Sequence, residues 1–128
     1  MKAGPRTRRV AEFARAVRWE EPPADVRSRA IRCVLDLCGA AIAGNRTKVV
    51  QSMATYALYA HGTGPSTHLG TGTNSTPVGA ALANGFAASA LDTDDGYRPV
   101  KGHPGAVVSP AVLAAAEEAR RDLDHSWF

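Results

Sequence analysis

A chain of 128 residues with eight aromatics has room for one domain and excludes a two-domain enzyme within its length. Its 24 alanines and 12 glycines argue against an all-β sandwich, which needs more β-branched and aromatic residues, and for closely packed helices. The net charge of +3 is uneven: residues 1–32 carry nine Lys/Arg against four Asp/Glu, and the remainder is net acidic.

The first predicted helix runs from Arg8 to Trp19. Arg8, Arg9, Arg15 and Arg18 alternate there with Val10, Phe13, Ala14 and Val17, a solvated face opposite a core face. No aromatic or glycine-rich reading motif accompanies this charge, so nucleic acid is not an expected partner. Glu12, Glu20 and Glu21 argue against a mitochondrial presequence. With no signal-peptide core and no long apolar run, no membrane partner is expected and the default compartment is cytoplasmic. Cys33 and Cys38, five residues apart, point about 140° apart on a helix and share neither a metal nor an easy disulfide.

Glu21-Pro22-Pro23 stops the first helix, because a residue before proline avoids the helical region. A second opens at Pro23 or Asp25 and runs to about Ala43, with Val26, Ala30, Ile31, Val34, Leu35, Cys38 and Ile42 as its apolar stripe and Gly44-Asn45 as its stop. A third spans roughly Thr47 to Ala60, with Val49, Val50, Met53, Tyr56 and Ala57 facing inward. The Gly/Thr-rich stretch His61–Ser75 lacks the phosphate-loop pattern and is expected to be a plain connection, with a short extended piece at Thr67–Leu69.

Thr76-Pro77 marks a helix start, a capping residue followed by proline in the first turn, and that helix runs to about Leu91. Its interior is nearly all alanine and glycine, which predicts close helix contact and a central position. A last helix is expected from Ser109-Pro110 to Arg121. The predicted fold is all-α, a packed helical domain.

Between these last two helices, residues 92–105 hold three carboxylates, a phenol, three basic groups and three glycines. Asp92, Asp94 and Asp95 suggest a divalent cation, but the calcium-loop pattern fails at Gly96. A second reading is acid–base chemistry on an anionic substrate. In it, an aspartate at a helix end transfers a proton, Tyr97 donates or relays one, and Arg98, Lys101 and His103 pair with substrate carboxylates. A helix start near Pro104-Gly105-Ala106 would add backbone N–H groups for an anion. A solvated turn, its aspartates capping helices and pairing with Arg98 and Lys101, is the third.

The order of motifs is familiar. Ala11-Glu12-Phe13, Pro22-Pro23, Val34-Leu35-Asp36, Leu69-Gly70-Thr71-Gly72, Ala81-Leu82-Ala83-Asn84-Gly85, Ala90-Leu91-Asp92-x-Asp94-Asp95 and Gly102-His103-Pro104-Gly105-Ala106 resemble the MmgE/PrpD family over residues 8 to 119. That family includes 2-methylcitrate dehydratase, cis-aconitate decarboxylase and an iminodisuccinate epimerase. The resemblance implies removal of a proton beside a carboxylate of a small di- or tricarboxylate, without metal or organic cofactor. It implies Asp92 and His103 as catalytic groups, with Tyr97 assisting and Asp95, Arg98 and Lys101 binding substrate. Gly96 stands where the decarboxylase has a threonine, and Gly105-Ala106-Val107 replaces the Ser-Asp-Asn common in methylcitrate dehydratases, so the substrate class stays broad. The resemblance further implies the amino-terminal part of a larger helical domain, without the family's carboxy-terminal lid, and a homodimer or association with that missing part. On this reading the chain alone has little turnover. The other readings are a non-catalytic helical association module and a truncated, inactive gene product.

Overall fold

The computed structural model describes residues 4–119. They form helices α1 (Pro5–Ala16), α2 (Ala24–Gly44), α3 (Lys48–His61), α4 (Pro77–Ser89) and α5 (Pro104–Glu118), with a small antiparallel hairpin of β1 (Ser66–Thr67) and β2 (Asn74–Ser75) between α3 and α4. The expected packed helical domain is what the chain forms.

Helix α4 is the centre, packed on α2, α3 and α5. Its start follows the local chemistry: the Thr76 side chain accepts from the Gly79 N–H at 3.4 Å, and Pro77, which has no N–H to leave unpaired, fills the first turn. Gly79, Ala80, Ala83, Asn84, Ala87 and Ala88 are its buried residues. The interior glycines permit contact between backbones. A Cβ on Gly85 would stand 3.2 Å from the Ala106 carbonyl oxygen of α5, and one on Gly79 would stand 2.7 Å from Ser75 Oγ. Gly44, the last residue of α2, is tighter still: a Cβ there would overlap the Ala87 carbonyl group, 2.9 Å from its carbon. Gly44 thus serves close approach to α4, and the helix stop falls one residue later at Asn45.

Helix α5 begins at Pro104, five residues before the expected Ser109, and carries Pro110 inside it. Pro110 cannot donate to the Ala106 carbonyl four residues back. That oxygen faces Gly85, where a Cα–H is the available weak donor. The expected end at Arg121 lies outside the described residues.

Burial departs from expectation on three helices. Helix α1 ends at Ala16, earlier than Trp19, and has no buried residue; Val10 and Phe13 of its expected core face are both exposed. The Arg18 N–H is taken by the Glu21 carboxylate at 3.1 Å, which favours a turn there. On α2 the buried residues are Leu37, Ala40, Ala41 and Gly44, whereas Val26, Ile31, Leu35 and Ile42 of the predicted stripe are exposed. On α3, Val50 and Ala57 are buried, but Val49 and Tyr56 are exposed. The common cause is side-chain size. The core of Leu37, Ala41, Val50, Ala87, Ala88 and Ala106 is built mostly from small residues that let helices close on each other, leaving larger apolar groups outside the seam.

The stretch between α3 and α4 is more than a plain connection. Ser66, His68 and Ser75 are buried in it. Asn84 of α4 reaches up to it twice: its side-chain amide donates to Thr67 O at 2.8 Å and its oxygen accepts from Leu69 N at 2.8 Å. Asn45, just past α2, donates to the Leu69 carbonyl, and Ser66 donates to Ala114 O of α5 at 2.9 Å. The extended piece is Ser66–Thr67 paired with Asn74–Ser75, not Thr67–Leu69.

Candidate functional site

The polar segment joins the C-terminal end of α4 to the N-terminal end of α5. After Ser89 the chain reverses at Asp92, whose φ of 53° is left-handed, a region that aspartate tolerates better than most residues. A short 3-10 turn at Arg98–Val100 and a left-handed Lys101, φ 52°, make a second reversal. The Tyr97 N–H donates to Gly102 O at 2.9 Å and pins the ends of that loop together. The chain then enters α5 through His103 and Pro104.

This path converges three side chains. One ligating atom from each of Asp92, Asp94 and His103 lies within 4.8 Å of the other two. His103 Nδ1 stands 3.2 Å from Asp94 Oδ2; the Asp94 side chain is 2% exposed and the imidazole 46%. Ser89 Oγ donates to the same Asp94 oxygen at 3.2 Å. With Nδ1 turned to Asp94, the other ring nitrogen, Nε2, is the one remaining for a ligand. Two carboxylates and an imidazole are also a donor set that suits a divalent cation. Among the described residues this is the group of that kind, and it differs from the all-aspartate set considered from sequence by taking His103 in place of Asp95.

Asp95 does something else. The Gly105 N–H donates to both of its oxygens, at 3.0 and 3.2 Å, so the carboxylate caps α5. A Cβ on Gly105 would sit 2.5 Å from Asp95 Oδ1, which explains glycine at that position in physical terms. The first free N–H of α5 is therefore engaged by the protein's own carboxylate rather than left open for an anion. Tyr97, Arg98 and Lys101 are exposed on the loop, and their side chains make no hydrogen bond or ion pair among the described residues. Of the six residues singled out from sequence, the fold brings Asp92 and His103 together, gives Asp95 to a helix cap, and leaves the other three at the rim.

Sequence reasoning passed over Asp94 as a partner of His103. The available signal was its place in Asp92-x-Asp94-Asp95: a carboxylate two residues after a chain reversal can turn back toward the next helix start. It also passed over His68, which nothing in the Gly/Thr-rich stretch distinguishes.

The described helices contain none long and apolar enough to cross a membrane. Both cysteines are free, Cys33 exposed and Cys38 half-buried. The family model of the MmgE/PrpD N-terminal domain matches residues 8–126. No curated protein matches the chain.

Proposed function

We propose that this chain, which belongs to the MmgE/PrpD N-terminal domain family, supplies part of a lyase or isomerase site. The reaction class is proton removal beside a carboxylate of a small di- or tricarboxylate, resembling 2-methylcitrate dehydratase and needing no cofactor. The observation that carries this reading is the convergence of Asp92, Asp94 and His103 at the junction of α4 and α5. A C–H beside a carboxylate is a weak acid, so its removal needs a positioned base and cationic or hydrogen-bonding groups that stabilise the charge developing on the carboxylate. Asp92 and His103 are the proton-transfer pair. The buried Asp94 carboxylate holds the imidazole through Nδ1, so Nε2 is presented to substrate. Arg98 and Lys101, exposed and without side-chain partners among the described residues, are free to meet substrate carboxylates, and Tyr97 has a phenol at the same rim.

The test is a titration of the ¹⁵N-labelled chain with tricarballylate, a tricarboxylate lacking a leaving group, followed by amide shifts. Shifts are expected at residues 92–105, and Asp92→Asn or His103→Gln should weaken them while leaving the rest of the spectrum in place. Turnover of 2-methylcitrate by the chain alone is expected to be slight, because too few cationic groups surround the pair. Shifts confined to other surfaces, or unchanged in both variants, would overturn the reading.

A second reading, an association module, is favoured by the apolar side chains exposed on α1 and α2: Val10, Phe13, Val26, Ile31, Leu35 and Ile42. The occupant proposed is a second copy of this chain. Sedimentation should then show concentration-dependent dimers that Leu35→Glu abolishes; a strictly monomeric wild-type chain would remove this reading.

A further inference from the structure

We propose that His68 makes the β1–β2 hairpin an acid-released latch on α4 and α5. The imidazole is 2% exposed and among the largest fully buried side chains of the described residues. Its Nε2 lies 2.8 Å from Ser75 Oγ. The Ser75 hydroxyl also lies 3.2 Å from Thr76 O, so it has an acceptor of its own when Nε2 is protonated. The other ring nitrogen, Nδ1, is buried with no hydrogen-bond partner among the described residues.

An imidazolium carries hydrogen on both nitrogens, so its Nδ1–H would stand buried without an acceptor among the described residues. Among the described residues no carboxylate pairs with the ring. Residues 62–76 hold no ionisable group besides His68, and α4 holds none at all. From α5, the Glu117 carboxylate accepts the Thr67 N–H at 2.8 Å, and both it and Glu118 are solvent-exposed, where water screens their charge from the buried ring. From α3 the nearby ionisable group is His61, at the end of the helix, whose Cβ and the Ser75 side chain both border Gly79. Burial accordingly pushes the His68 pKa below its ordinary value.

The hairpin is what the proton would release. Ser66 ties it to Ala114, Thr67 to Glu117, and Asn84 holds Thr67 and Leu69 from α4. These are the two helices whose facing ends carry the Asp92, Asp94 and His103 cluster. In the released hairpin the imidazole regains water and its ordinary pKa of about 6.5. The closed form binds the proton less tightly than the released form. Closure is therefore unaffected above about pH 6.5 and weakens by up to about tenfold per pH unit below it, until the buried ring itself titrates.

Amide hydrogen exchange reads the latch directly. The Leu69 N–H donates to Asn84 of α4 at 2.8 Å and reports closure onto that helix, and the His68 N–H, bonded to Thr73 O at 2.8 Å, reports whether the hairpin itself opens on release. Corrected for intrinsic exchange, their protection in the wild-type chain should fall between pH 7 and pH 5, by up to about tenfold per unit. His68→Gln, whose side-chain amide keeps a donor for Ser75 but does not titrate, should hold its protection nearly constant over the same range. Direct titration of the His68 ring by proton NMR should give a midpoint below the ordinary histidine value. A wild-type midpoint at or above that value overturns the proposal, as does an equal loss of protection in the wild type and the glutamine variant. The ring titration needs no variant, so the proposal stays decidable if the substitution fails to fold.

Discussion

Two glycines of α2 test the packing with a single chemical change. Gly39 and Gly44 lie in the same helix, five residues apart. A Cβ on Gly39 meets nothing within 4 Å, whereas one on Gly44 runs into the Ala87 carbonyl group of α4. In the open site, alanine gains helix propensity worth about 0.5–1 kcal/mol over glycine. At Gly44 the same gain is opposed by overpacking. The obstacle is backbone, with no rotamer to turn away, so α2 and α4 must part; such strain costs about 1–3 kcal/mol and is greatest for rigid neighbours. Gly39→Ala should therefore stabilise by about 0.5–1 kcal/mol, and Gly44→Ala should destabilise by a net amount of about 2 kcal/mol. At about 3–5 °C per kcal/mol for a chain of this length, the melting temperatures of the two variants should separate by about 10 °C. Circular dichroism melts at one protein concentration give the comparison. Equal stabilisation by the two substitutions would show that α2 and α4 do not meet at Gly44, and the close-seam account of the core would fall with it.

Asn84→Ala removes two hydrogen bonds and strands the Thr67 carbonyl and Leu69 N–H, so urea denaturation should show a loss of about 2–4 kcal/mol. Asp95→Ala removes the cap of α5, a smaller loss of about 0.5–2 kcal/mol in the same assay, with Asp95→Asn recovering most of it. Gly85→Val forces α4 from the Ala106 carbonyl, so it should lower stability by about 1–3 kcal/mol. It should also weaken nuclear Overhauser contacts between Ser89 or Asp94 and His103; an unchanged contact set would show that the seam does not govern the site.

Helix starts were the most legible part of the fold, because capping is local. Thr47 and Thr76 each accept a backbone N–H three residues on, as their side-chain chemistry predicts. The start of α5 was harder: Pro104 and Pro110 both offer a first-turn position, and a proline inside the helix is tolerated here because the acceptor it abandons faces Gly85. Burial was misjudged wherever a large side chain was assumed to lie inward. Leu35 and Ile42 follow helical spacing as well as Leu37 and Ala41 do, and periodicity alone does not rank two apolar faces of one helix. In the site, composition located residues 92–105, but the left-handed turns at Asp92 and Lys101 decide which carboxylate meets His103. Non-glycine residues at positive φ carry no clear mark in a single sequence.

The alanine-rich composition and the polar cluster are two consequences of one packing choice. Asp92 follows the end of α4 and His103 precedes α5, so their separation depends on how closely those helices lie. That spacing is held by Gly85 against Ala106, with Ala87 and Ala88 in the adjoining core. Larger residues in the seam would part the helix ends and, with them, the imidazole and its carboxylates. The electrostatics follow from the same junction. The N-terminus of a helix favours an anion, yet α5 meets this demand with Asp95. On the proposed function, an anionic substrate would therefore meet Arg98 and Lys101 rather than the helix end. Motif glycine Gly105 and motif carboxylate Asp95 thus build the scaffold beside which Asp92, Asp94 and His103 converge.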